Sequence, residues 1–183
     1  MSYEIAIKKA WNNLFEIDAK NEFCVNFLGE EYEVDLEKKK VTSLLLNKEA
    51  KDFIVILILH YLAAKLKGLP NLTREWVSFK ELPTGESYYP SFRKRAIEPV
   101  IRKYGSNPQG LFNSLQRLHG GKADIADASL VLEVFDGVTA MVTLWGQDEE
   151  FQAEANMLFD KNITGIFCTE DVAVLAGLIA DKI

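Results

Sequence analysis

Cysteine and histidine are scarce in this 183-residue chain, which holds two of each. Cys24 and Cys168 stand far apart and give neither a disulfide framework nor a CxxC metal spacing, so the expectation is a cytoplasmic protein with reduced thiols and no metal site. Basic excess is also lacking. Lys and Arg number 21 against 27 Asp and Glu, a net charge of -6, which argues against a nucleic-acid partner because phosphates call for clustered cations. The longest apolar stretch, Phe53 through Leu59 to Ala64, is bracketed by Asp52 and Lys65 and falls short of the ~20 residues of a membrane span. No membrane partner is expected, and Met1-Ser2-Tyr3-Glu4 lacks the basic opening of a signal peptide. Dinucleotide, nucleophile-elbow, zincin and EF-hand patterns are missing. Gly120-Gly121-Lys122 lacks the spacing of a phosphate loop and reads as a helix-ending turn.

What is present suffices for a core. Hydrophobic residues make up 48% and charged residues 26% of the chain, and a chain of this length buries roughly 70% of its unfolded surface. One domain over residues 1–183 is expected, with no repeat or linker. Ile7, Ala10, Trp11, Leu14 and Phe15 recur at helical spacing and predict an opening helix from about Tyr3 to Ala19. Alternation from Phe23 to Phe27 and from Tyr32 to Leu36 predicts a hairpin turning at Gly29-Glu30, and Val41 starts a third strand. Asn47 is read as the N-cap of a helix running to Lys67 and stopped by Gly68. That helix is apolar on nearly every face, so its His60 is expected as a neutral core histidine.

Trp76 to Phe79 reads as a short extended segment, Pro90 as the first turn of a helix, and Pro99 as its kink or as the start of the next. Leu111, Phe112, Leu115 and Leu118 mark a further helix. The sharpest local signal is a pair of β-rich runs, Ser129 to Phe135 and Val138 to Trp145, joined by Asp136-Gly137 in what predicts a type I′ turn. Leu130, Leu132, Val134 and Met141 are placed on one face, and Val131, Phe135, Val142 and Leu144 on the other. Thr169 is read as the cap of a last helix with Val172, Leu175 and Ile179 inward. Helices and hairpins alternate without a βαβ rhythm, so the fold class is α+β, a mainly antiparallel sheet with flanking helices.

Two residue sets carry candidate chemistry. Trp76, Tyr88, Tyr89 and Arg93 combine stacking faces with a forked cation, the means of binding a planar or anionic molecule, and equally a surface on which arginines cover aromatics. Asp148, Glu150 and Asp160, with Asn156, gather oxygens that serve acid/base or cation chemistry, or simply solvate a loop. Joined in one recess, the two sets would form a ligand site with Trp76, Tyr88, Tyr89, Arg93, Asp148, Glu150, Asn156 and Asp160.

Two segments also carry a resemblance. Trp76-Val77-Ser78-Phe79-Lys80-Glu81-Leu82-Pro83 with Gly85, Tyr88-Tyr89-Pro90, Phe92 and Glu98-Pro99 is the first. The second is Trp145 to Phe151 with Ala155-Asn156, Leu158-Phe159-Asp160 and Glu170-Asp171. Together they resemble a domain family of unknown function from anaerobic bacteria and archaea, over nearly the whole chain. Some relatives carry an added four-cysteine iron-sulfur domain similar to that of corrinoid iron-sulfur proteins. This chain lacks that domain, so the resemblance implies an anaerobic one-carbon setting and transfers no cluster ligand to Cys24 or Cys168. The expected function is binding of a small molecule or a protein partner. An enzyme using Asp148, Glu150 or Asp160 and a structural subunit are the alternatives, with cofactor and oligomeric state left open.

Overall fold

The computed structural model describes residues 3–17 and 22–183. The opening helix α1 spans Tyr3–Ile17, and its expected end at Ala19 lies outside the described residues. Ala10, Trp11 and Leu14 are buried, whereas Phe15 is exposed under the ammonium of Lys39. Four strands follow as a meander: β1 Glu22–Phe27, β2 Glu30–Asp35, β3 Lys40–Ser43 and β4 Lys48–Glu49. The first turn is Leu28-Gly29, one residue earlier than expected, because Leu28 adopts the left-handed conformation (φ 49°) alongside Gly29 (φ 73°). Asn47 is likewise left-handed (φ 50°) and turns β3 into β4 instead of capping a helix. Helix α2 therefore begins only at Asp52, runs to Lys67 and stops at Gly68, whose φ of 98° suits glycine.

A short β5, Trp76–Ser78, leads through a tight 3₁₀ turn into α3, Gly85–Phe92. Pro90 sits in the second turn of α3 and not in its first. A π-helical turn, Arg93–Ile97, joins α3 to α4, Glu98–Tyr104, with Pro99 in the first turn of α4. The wide turn fits the ring of Pro99, which lacks an N–H and would otherwise meet the carbonyl one turn back. The leucine-rich stretch after it is a 3₁₀ segment, Pro108–Gln116. Gly120-Gly121 is not a helix-ending turn. It belongs to β6, Gly120–Ala123, which pairs with β7, Ala128–Phe135.

β8, Val138–Trp145, β9, Glu154–Asp160, and a final helix α5, Thr169–Lys182, complete the fold. Every pairing is antiparallel, and the strands run β4-β3-β2-β1-β7-β8-β9-β5, with β6 also on β7. The protein is thus an α+β fold with a mainly antiparallel sheet and flanking helices. In the β7–β8 hairpin only Gly137 has positive φ (77°), and the register shifts between Glu133 and Phe135. This is a bulged turn, not a type I′ turn, and the extra residue exchanges the faces of one strand relative to the other. Met141 consequently opposes Val131, while Val142 and Leu144 share a face with Leu130 and Leu132.

The core joins the two halves of the sheet through stacked rings. Phe135 lies 4.5 Å from Phe27 and 4.3 Å from Tyr61 of α2, and 5.8 Å from Phe167, the residue that ends two positions before α5. Such pairs add roughly 0.5–1.5 kcal/mol each beyond their buried area. The Tyr61 hydroxyl donates to the Asp136 carbonyl at 2.9 Å and locks α2 to the hairpin turn. Together these contacts fix where α5 starts relative to α2, which decides the geometry of the site.

Candidate functional site

Along α2 one face is set by residues spaced three and four apart: Phe53, Ile56, Leu57, His60, Ala63 and Lys67. The opposite faces of α2 are buried in the core, but this face looks onto α1 and the first turn of α5. His60 is therefore not an enclosed core histidine, since its side chain remains 32% exposed. Its Nδ1 lies 2.9 Å from Oδ2 of Asp171, whose side chain is only 10% exposed.

Cys168, rather than Thr169, caps α5. Asp171, three residues on, accepts the Cys168 backbone N–H at 3.2 Å, the reciprocal half of a capping box. Thr169 instead donates its hydroxyl to the Pro83 carbonyl at 2.7 Å, tying α5 to the loop before α3. Burial pushes the Asp171 carboxyl upward, but the hydrogen bond and charge of His60 and the two bonds from Cys168 hold it below the usual carboxylate value. An ionised Asp171 only accepts, so His60 donates from Nδ1, and Nε2 is the ring nitrogen that Asp171 does not engage. Burial pushes the Cys168 thiol up, and the Asp171 charge adds to this against the pull of the α5 amides. Cys168 is thus a protonated thiol at neutral pH and not an activated nucleophile.

Two recesses of about 280 Å³ each share His60, Cys168 and Asp171. One continues toward Asn13, Ala64, Lys67 and Ile166. The other continues toward Tyr3, Phe53, Ile56, Glu170 and Val174 and is mostly apolar. Taken as one groove they fall within the roughly 300–1,000 Å³ of small-molecule sites.

The residues singled out from sequence occupy other places. Trp76 is half-buried on β5 with Asp160 as its cross-strand partner, so the two family-like segments do meet at the β5–β9 pairing. Asp160 is buried there, and its oxygens accept from Thr73 Oγ1 (3.1 Å), Arg74 N (2.9 Å) and Asn162 N (3.0 Å). Burial pushes its pKa up, but these bonds together hold the carboxyl below its usual value, so it acts as a fixed loop clamp. Asn156 turns its Oδ1 to the adjacent Met157 N–H. Tyr88 is exposed and lines a third recess of about 380 Å³ with Thr84, Phe167 and Cys168. Tyr89 stacks on Phe92 at 5.9 Å beneath the Lys80 ammonium, and Arg93 lies on the surface 3.8 Å from Glu98.

Asp148 lies in the loop before β9, in a recess it shares with Glu154, whose strand carries the chain roughly 20 Å on to Asp160. It accepts the backbone N–H groups of Glu150 and Phe151 in a local turn and lines a recess of about 470 Å³ with Asp127, Trp145 and Phe151. Glu150 is exposed beside it. The structure therefore distributes the eight residues over separate places and does not bring Asp148, Glu150 and Asp160 together. Among the described residues no three His, Cys, Asp or Glu side chains converge in a metal-like group, and no helix is long and apolar enough to cross a membrane.

Sequence reasoning missed His60, Cys168 and Asp171 as a unit. The available signal was an imidazole placed on an otherwise apolar helix, but its partner lies 111 positions away. A family model described as Domain of unknown function (DUF3786) matches residues 9–182. No curated protein and no solved structure matches the chain.

Proposed function

We propose that this chain, which belongs to the family described as Domain of unknown function (DUF3786), is a binding domain that takes a small molecule into the groove between α1, α2 and α5. The observation that carries the reading is the His60–Asp171 pair at the junction of two recesses. An imidazole oriented by Asp171 offers a directed polar group amid apolar walls, the composition of a ligand pocket. A thermal-shift screen of wild type and His60→Ala tests it, because a ligand that binds only the folded state raises stability as its concentration exceeds Kd. Compounds that stabilise wild type and lose their effect in His60→Ala, while keeping it in Arg93→Ala, support the groove. Stabilisation that survives His60→Ala removes it.

The same pair favours a second reading, an enzyme in which Nε2 of His60 is the general base. Asp148, Glu150 and Asp160 have less support in that role, given their separation and the three donors on Asp160. A protein partner is suggested by Leu44, Leu45 and Leu46, exposed in succession at the β3–β4 turn, with Leu45 76% exposed. The setting we infer, cytoplasmic and anaerobic one-carbon metabolism, rests on the two unbridged cysteines and on the motif resemblance. Native mass spectrometry of anaerobically purified protein tests both the setting and the partner.

A further inference from the structure

We infer that the occupant of this groove is an amphipathic acid, an apolar chain or ring system ending in a carboxylate, lying along α2 with its carboxylate at Lys67 and its apolar body at Phe53. The inference rests on the groove reading above and adds the chemistry and direction of the ligand. From Phe53 to Lys67 the groove-lining face of α2 covers fourteen residue steps, roughly 21 Å of helix. Ala63 and Ala64 leave room in the recess on the Lys67 side of His60, and Ala6 of α1 lines the recess on its Phe53 side.

The two ends differ in kind. At one end Lys67 is the lining cation, and its Nζ reaches only the neutral Asn13 Oδ1 at 3.5 Å among the described contacts. At the other, Phe53, Ile56, Leu57 and Val174 supply apolar walls, and the charged group beside them is Glu170. A carboxylate is attracted at the Lys67 end and repelled at the Glu170 end, whereas an apolar body gains from burial only at the Phe53 end. Asp171, the remaining carboxylate of the groove, is occupied by His60 and the Cys168 N–H. The ligand is thereby oriented, and His60 lies beside it at mid-length.

Three probes of equal chain and different head separate the possibilities: octanoate, octan-1-ol and octylammonium, titrated calorimetrically into the full chain. Octanoate is expected to bind roughly tenfold tighter than the other two, the equivalent of about 1.4 kcal/mol. Lys67→Glu, at an exposed position, is expected to abolish that advantage and favour octylammonium. Equal binding of the three heads, or an unchanged order in Lys67→Glu, overturns the acid assignment while leaving a groove that binds apolar molecules. Failure of all three probes to bind overturns the assignment as well, and the His60-dependent screen then decides separately whether the groove binds anything.

Discussion

Replacing Asp171 by Ala isolates the physical core of the site. The substitution removes a charged hydrogen bond to His60 (2.9 Å) and the acceptor for the Cys168 N–H (3.2 Å). A hydrogen bond to a charged group contributes roughly 1.5–3 kcal/mol, and a lost cap costs about 1 kcal/mol. The two overlap on one carboxylate, and the half-exposed imidazole recovers some solvation, so about 2–4 kcal/mol is expected. For a chain of this size each kcal/mol moves Tm by about 2–4 °C, which gives a fall of roughly 5–15 °C by circular dichroism at pH 7. Asp171→Asn keeps an acceptor for the cap and should lose about half as much. Because the carboxyl is held below its usual value of 3.8, its contribution is present above about pH 4 and fades as pH falls through the depressed value. The gap between wild type and Asp171→Asn therefore closes in acid. A Tm for Asp171→Ala within roughly 2 °C of wild type, or a gap that persists unchanged at pH 2.5, would refute the account of this pair.

Three other outcomes are expected. Leu57→Ala, at a fully buried position of α2, should cost ~2–5 kcal/mol in urea unfolding, with an unchanged midpoint counting against α2 as a core helix. A methyl group at Gly85 would collide with the Phe79 carbonyl, so Gly85→Ala should lower both Tm and soluble yield, and a wild-type melting curve contradicts that packing. Tyr32, buried and beside Glu30, has its hydroxyl pushed up from 10.0 to about 12, by burial first and the Glu30 charge second. Its neutral form stabilises the fold fully below pH 10, and that contribution is lost as pH rises toward 12. Tyr32→Phe should flatten this alkaline fall, which a pH series of urea midpoints would show.

Much of the fold was legible because local signals and tertiary packing agreed. The β7 and β8 runs, the end of α2 at Gly68 and the inward stripe Val172, Leu175 and Ile179 of α5 stand as the sequence implied. Two of the misreadings share one cause, non-glycine residues in left-handed conformations. Leu28 and Asn47 both turn the chain where their side chains give little warning, moving one hairpin turn and the start of α2. The Glu133–Phe135 bulge has a different origin: one extra residue in the ladder carries no marker in composition yet reverses which face Met141 occupies.

The candidate site was less legible for a different reason. Sequence proximity grouped Asp148, Glu150 and Asp160, but a strand separates residues that are near in number: Asp148 lies in the loop before β9, and Asp160 ends that strand. Asp160 was chosen for its carboxylate, whereas its three donors make that carboxylate a structural acceptor. His60 was discounted because its helix is apolar all round, and seven of its eight buried neighbours on α2 are indeed hydrocarbon side chains with Tyr61 the exception. What sets His60 apart is that the first turn of α5 arrives opposite it, and that arrival depends on Phe167 packing against Phe135 and on Thr169 bonding Pro83. Both contacts join segments far apart in the chain. An ionisable side chain inside an apolar helix therefore needs a partner from elsewhere, and in this protein the partner is the capping carboxylate of the last helix. One group thus closes α5 and orients the imidazole, so the stability of the fold and the chemistry of the groove depend on the same oxygen, Oδ2 of Asp171.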